Sequence, residues 1–188
     1  RFPDALGSIA GDFHRGDFVS FFAPAKRGKT QYLWYTAECA MGKGLKVIFF
    51  TLEMTKRQMI RRAWKSLCAL PDEKSTVKVP VFKKNDSGKF SIEYREEERR
   101  ALDPSKAELY QNRLRKLYRK GDVRIVQLPG YQATVKDIEN YMDRLSFYDH
   151  YDADVVIIDY ADLMAPTKNL NEYRHRIDDI WKGIRALA

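Results

Sequence analysis

The sequence predicts an α/β fold, a mostly parallel sheet flanked by helices, with a β-hairpin and a helix as an insertion. Three observations predict it. Apolar runs of strand length recur along the chain, segments of helical period separate them, and a Gly-Lys-Thr loop joins the first run to the first helix. Strand–helix–strand alternation of this kind implies right-handed crossovers and parallel neighbours.

The elements follow in order. Asp17-Phe18-Val19-Ser20-Phe21-Phe22 reads as the first strand, and Lys29 to Met41 as a helix closed by Gly42. Lys46 to Thr51 is the second strand, and Lys56 to Leu70 a helix that stops before Pro71. Val77, Val79 and Val81 alternate, Asn85-Asp86-Ser87-Gly88 turns the chain, and Phe90, Ile92 and Tyr94 alternate again, the pattern of a hairpin. Ser105-Lys106-Ala107-Glu108 has the form of a capping box ahead of a stripe of Tyr110, Leu114, Leu117 and Tyr118. Val123 to Leu128 is the third strand. Thr134 caps a helix with Ile138, Tyr141, Met142 and Leu145 on one face. Val155 to Asp159 is the fourth strand, and Asn171 to Ala188 a closing helix. The second and fourth strands are nearly continuous in apolar residues, as expected where helices cover both sheet faces.

Composition sets the frame. At 188 residues, 44% hydrophobic and 32% charged, the chain has the mass of one domain and enough apolar residues for a core. Lys and Arg number 34 against 26 Asp and Glu, a net charge of +8 that favours polyanionic partners. Cys39 and Cys68 lie far apart in apolar segments, which excludes a disulfide framework and a zinc-ligand set and suits a reducing, cytoplasmic compartment. No apolar run approaches the ~20 residues of a membrane span, so no membrane partner is expected. The chain opens on Arg1 and closes without a helix terminator, which reads as a piece of a longer protein.

Ala23-Pro24-Ala25-Lys26-Arg27-Gly28-Lys29-Thr30 matches a phosphate loop from its second fixed position onward. Backbone N–H groups at a helix start face the phosphates, and the helix dipole favours negative charge there. Gly28 admits close backbone approach, Lys29 neutralises the β- and γ-phosphate oxygens, and the Thr30 hydroxyl ligates Mg²⁺. ATP and Mg²⁺ are therefore the expected ligands. The departure is Ala23, which stands where the pattern has Gly. A left-handed backbone angle there would cost Ala about 1 kcal/mol.

Two acids complete the pattern. Asp159 ends a buried strand, where ligands sit in parallel α/β sheets, and is placed to hold the metal opposite Thr30. The alternative is a satisfied strand-end carboxylate or a helix cap. Glu53 follows the second strand and is placed to polarise the water that attacks a γ-phosphate. The alternative is an acid that favours the start of the helix near Thr55. Asp152 and Asp154 lie at the opposite end of their strand and read as solvated.

Together, Phe50-Thr51-Leu52-Glu53-Met54, Ile158-Asp159-Tyr160-Ala161-Asp162-Leu163-Met164 and the phosphate loop resemble the RecA-like ATPase core of DnaB-type replicative helicases. The segment from Phe2-Pro3 to Gly16-Asp17 and the helix from Arg174 to Ala188 are similar to that family as well. The resemblance covers roughly 1–70 and 123–188, and implies one RecA-like P-loop domain over 1–188, incomplete at its C-terminal end, with an insertion at about 72–122. The insertion is foreign to the common bacterial pattern and suggests a viral or divergent member. The resemblance implies that Glu53 is the catalytic glutamate and Asp159 the metal-holding acid. It also implies ATP hydrolysis coupled to translocation on single-stranded DNA by a homo-hexameric ring, in a bacterial or virus-infected cell. The family's sensor strand and arginine finger would lie beyond Ala188. A RecA- or KaiC-like ATPase of recombination, and a helicase-associated assembly protein without hydrolysis, remain as alternatives.

Three further features stand out. Arg113, Arg115, Lys116, Arg119 and Lys120 lie on the insertion helix, as a phosphate-contacting face or a solvated one. Lys168, in the loop from Pro166 to Leu170, is a candidate DNA contact or a surface charge. Tyr131 and Tyr173 are placed to stack on a base or to pack.

Overall fold

The structure is a computed structural model that describes residues 11–24, 27–84, 89–168 and 171–188. Residues 1–10, Ala25 and Lys26 of the phosphate loop, the Asn85–Gly88 turn and residues 169–170 lie outside the described residues. The chain divides into two compact units, one of Arg1–Met59 with Lys116–Ala188, the other of Ile60–Arg115.

Among the described residues the first unit is built on three parallel strands, β1 (Lys46–Thr51), β4 (Asp122–Gln127) and β5 (Val155–Asp159). Their order is β4-β1-β5, with Thr51 beside Gln127 on one flank and Asp159 on the other. The central strand is buried from Val47 to Thr51, which explains its unbroken apolar run. One sheet face, through Phe49, meets Trp34 of α1 (Lys29–Gly42), with ring centroids 5.9 Å apart. The other, through Ile48 and Phe50, joins a core with Ile138 and Leu145 of α4 (Val135–Asp149) and Ile180 and Ile184 of α5 (Tyr173–Leu187). A reciprocal capping box of Thr134 and Asp137 starts α4. Asp154 is more than solvated: its carboxylate accepts the Lys46 N–H at 2.9 Å and an Arg15 bond at 3.3 Å, tying the starts of β1 and β5.

The predicted first strand is corrected. No strand is assigned over residues 17–22. Its alternating rings are taken up by helices instead of a ladder: Phe18 and Phe22 pack on Trp181 of α5, and Phe21 packs edge-on to Tyr32 of α1. Among the described residues β5 pairs with β1 alone, and Val156 on it remains 38% exposed. The end of α1 is also corrected. Gly42 is helical, and the left-handed residue is Gly44, whose N–H donates to Met41 O at 2.9 Å.

Gly121 enters β4 against the end of α1. A Cβ there would stand 2.2 Å from the Met41 carbonyl oxygen, so only glycine fits without a backbone shift. Gly121→Ala is expected to lower stability by about 1–3 kcal/mol, read as a lower urea midpoint at unchanged m-value. An unchanged midpoint would mean that this approach is not close in solution.

The second unit holds most of α2 (Lys56–Cys68), the hairpin strands β2 (Ser75–Lys84) and β3 (Phe90–Arg99), and most of α3 (Ala107–Leu117). The helix α2 ends earlier than predicted, at Ala69 with φ 51°, where Leu70 N–H donates back to Lys65 O at 3.1 Å. Lys65 and Arg61 both bind Asp72, and chiefly the Lys65 bond holds its carboxyl below the usual range. Asp103, and not the predicted Ser105–Glu108 box, caps the entry to α3: its Oδ1 accepts the Ser105 N–H at 3.0 Å. The hairpin forms as predicted, in antiparallel register from Ser75↔Arg99 to Lys84↔Phe90. Among the described residues no helix is long and apolar enough to cross a membrane.

Candidate functional site

The site starts where α1 starts. Gly28 is its N-cap residue, with φ 84° and ψ 21°, a left-handed conformation that favours glycine. The need is conformational, since a Cβ on Gly28 would meet nothing within 4 Å. Arg27 N–H donates to Pro24 O at 3.3 Å, and Tyr32 N–H to Gly28 O at 2.9 Å, closing the loop onto the first turn. Among the described residues no side chain caps this helix start, and its first turn carries no acid. The leading N–H groups and the positive end of the dipole thus face an anion site that no carboxylate of the first turn fills. Lys29 and Thr30 are half-buried in that turn. Among the described residues the non-glycine residues at positive φ are Ala69, Tyr131 and His150. Ala23 is not among them, so the strain expected of Ala at that position does not arise.

The strand ends converge on the same end of the sheet. Thr51 and Asp159 are both fully buried and are Cα partners across β1 and β5. Leu52 N–H donates to Asp159 O at 2.9 Å, and Leu128 N–H to Thr51 O at 3.0 Å, so the three strands leave the sheet in register. Thr51 Oγ1 donates to Met54 O at 3.0 Å and accepts the Met54 N–H at 3.1 Å. These two hydrogen bonds fix the turn that presents Glu53, which is exposed. The start of α2 is capped by other residues. Gln58 Oε1 accepts the Thr55 N–H at 3.0 Å, Thr55 Oγ1 accepts the Gln58 N–H at 3.3 Å, and Gln127 Oε1 accepts the Lys56 N–H at 2.9 Å.

Tyr160 links the two halves of the site. The ammonium of Lys29 lies 4.5 Å from the centroid of its ring, a cation–π contact. Burial raises the pKa of the Tyr160 phenol, and the charges of Glu53, Tyr131, Asp162 and Asp159 raise it further. The charged groups around this phenol thus include both predicted acids, Glu53 and Asp159, beside Asp162 and Tyr131. Removing the Glu53 charge is expected to let Tyr160 ionise at lower pH, visible by NMR titration of ring-labelled tyrosine in Glu53→Gln. An unmoved titration would place Glu53 away from Tyr160.

The predicted residues do not all gather here. Lys168 is exposed, and its backbone N–H and charge act on Asp179 of α5, whose carboxyl lies below the usual range chiefly through bonds from Thr167. Tyr131 is exposed at φ 61°, and Tyr173 is exposed at the start of α5. Ala25 and Lys26 lie outside the described residues. Sequence reasoning missed Tyr160 and Thr51. The available signal was position alone: Tyr160 directly follows the strand-end acid, and Thr51 is the last residue of the central strand.

The sequence pattern described as "DnaB-like helicase C terminal domain" matches residues 4–188, a range that includes the hairpin and α3. No curated protein matches the chain. A solved structure described as a DnaB-like replicative helicase and its interactions with primase is similar in fold, with a TM-score of 0.55 at 17% identity. The match covers 87% of this chain but 34% of that one, so the chain spans about a third of its length.

Proposed function

The chain belongs to the DnaB-like helicase C terminal domain family, and from that premise we propose that it is the ATP-binding and ATP-hydrolysing motor domain of a replicative DNA helicase. One observation carries the reading: Lys29, at an uncapped helix start, shares Tyr160 with the acids at the ends of the two adjacent strands. That is one cation for phosphate oxygens and two carboxylates with different burial.

The different burial supports different roles. Glu53 is exposed on a turn pinned by Thr51, and so reaches a water in line with a γ-phosphate; it accepts that water's proton as attack begins. Asp159 is buried and held by the register of β5 against β1, which suits a fixed negative charge more than a proton carrier. Among the described residues no group of three His, Cys, Asp or Glu side chains forms a metal site. A hydroxyl from Thr30 and the Asp159 carboxylate are hard oxygen donors that fit Mg²⁺ when nucleotide phosphates complete the set. Bound there, Mg²⁺ would neutralise charge on the β- and γ-phosphates. The N–H groups of Gly28, Lys29 and Thr30 orient the phosphates, and Lys29 leaves or shares the Tyr160 ring to meet them.

Coupling to DNA belongs to the assembled protein. The reading places ATP between subunits of a homo-hexamer and single-stranded DNA in its channel, with Lys168 as a minor contact. The test is ATP hydrolysis by the assembled protein with and without single-stranded DNA, beside strand displacement on a forked duplex. Stimulated hydrolysis with ATP-dependent displacement is expected. Hydrolysis indifferent to DNA, with no displacement, would overturn the motor reading.

A further inference from the structure

The hairpin of the second unit carries an apolar face that its own fold leaves open. Cross-strand partners share a face, so Phe82 with Ile92, Tyr94 with Pro80 and Phe90 with Lys84 lie on one side of the ribbon. Val77, Val79 and Val81 lie on the other side, opposite Glu97, Arg95 and Glu93. The two apolar alternations in the sequence therefore face opposite ways. The valine side is half-buried, whereas Phe82 is 68% exposed, Phe90 72%, Ile92 56% and Tyr94 68%.

We propose that this face is a binding platform for single-stranded nucleic acid. It uses residues of the second unit alone and does not rest on the motor reading. Phe90, Phe82 and Tyr94 occupy three successive levels of the ladder, each step two residues long. That spacing is about 7 Å, the reach of a splayed single strand whose bases each stack on a ring. Lys84 and Lys78 stand on the same face at the two ends of the row. The two faces differ in how their cations are paired, and the ring face also carries Glu96 and Glu98, the latter paired to Lys74. Lys83 on the valine side is paired to Glu93 at 2.5 Å, and Arg95 there is paired to Glu97. Lys78 and Lys84 form no ion pair among the described residues, although Glu96 is the cross-strand partner of Lys78. Rings spaced for bases, bracketed by uncommitted cations, match a polyanion with flat apolar faces better than an apolar protein surface.

Fluorescence anisotropy of the whole chain with a labelled oligothymidylate tests this, at two salt concentrations. Tyr94→Leu and Phe82→Leu keep apolar bulk but remove the ring. Each is expected to weaken binding by about 5- to 150-fold, while Tyr94→Phe keeps wild-type affinity. Lys78→Gln with Lys84→Gln should make the log–log salt dependence shallower by about 0.7 per lysine. Tyr94→Leu should bind Mg·ATP as wild type does, which separates failure here from failure of the nucleotide site. Absence of oligonucleotide binding by the wild type, or leucine variants that bind equally well, would overturn the proposal. If those same variants instead lose a concentration-dependent dimer in sedimentation, the face belongs to a second copy of the chain and the proposal falls.

Discussion

Glu53→Gln is expected to lower ATP turnover by about 10²–10⁴-fold in the assembled protein, with little change in affinity for Mg·ATP. Glutamine preserves the volume of the side chain and its hydrogen-bonding reach but accepts no proton at neutral pH. Thr51 Oγ1 would still pin the Thr51–Met54 turn, so the amide occupies the place of the carboxylate. The start of α2 would keep its Thr55–Gln58 cap, so a loss of turnover could not be charged to a frayed helix. Steady-state phosphate release, paired with a binding titration on the same variant, separates the two effects. Turnover that survives the change would make Glu53 merely an acid near a helix start.

Lys29→Ala is expected to weaken Mg·ATP binding roughly tenfold or more. The removed contact is a charge-assisted hydrogen bond, about 1.5–3 kcal/mol, to phosphate oxygens at a helix start. The surroundings of Lys29 sharpen the expectation. Its ammonium rests over the Tyr160 ring, at the end of the sheet where Asp159 and Glu53 stand, and no acid of the first turn competes for it. A cation–π contact at a partly open site is worth about 0.5–1 kcal/mol, less than the phosphate contact, so the ring holds Lys29 ready without withholding it. The backbone N–H groups remain in the variant and account for residual binding.

Much of this was legible in the sequence, for identifiable physical reasons. The strand Lys46–Thr51 reads correctly because burial on both faces demands an unbroken apolar run; Val155–Asp159 shows the same apolar run although one of its faces stays partly open at Val156. Thr134 reads as a cap because its hydroxyl and the Asp137 carboxylate satisfy local donors, a chemistry complete within four residues. Asp17–Phe22 misleads because alternating rings look alike whether a ladder or two helix faces receives them. The hairpin misleads more subtly. Each strand alternates, but register decides which side each set of side chains faces, and register is a property of the pair. The helix start at Lys29 and the place of Asp159 at a strand end were legible from motif spacing and apolar runs. Tyr160 was not, because its role arises from Lys29, more than a hundred residues away in sequence, reaching over its ring.

Titration calorimetry of Mg·ATP into the wild-type chain and into Lys29→Ala tests the central claim, a nucleotide site at the start of α1. Saturable binding by the wild type is predicted, with affinity lower by a factor of about ten or more in the variant. Equal affinities, or no binding by either, would contradict the account at its base.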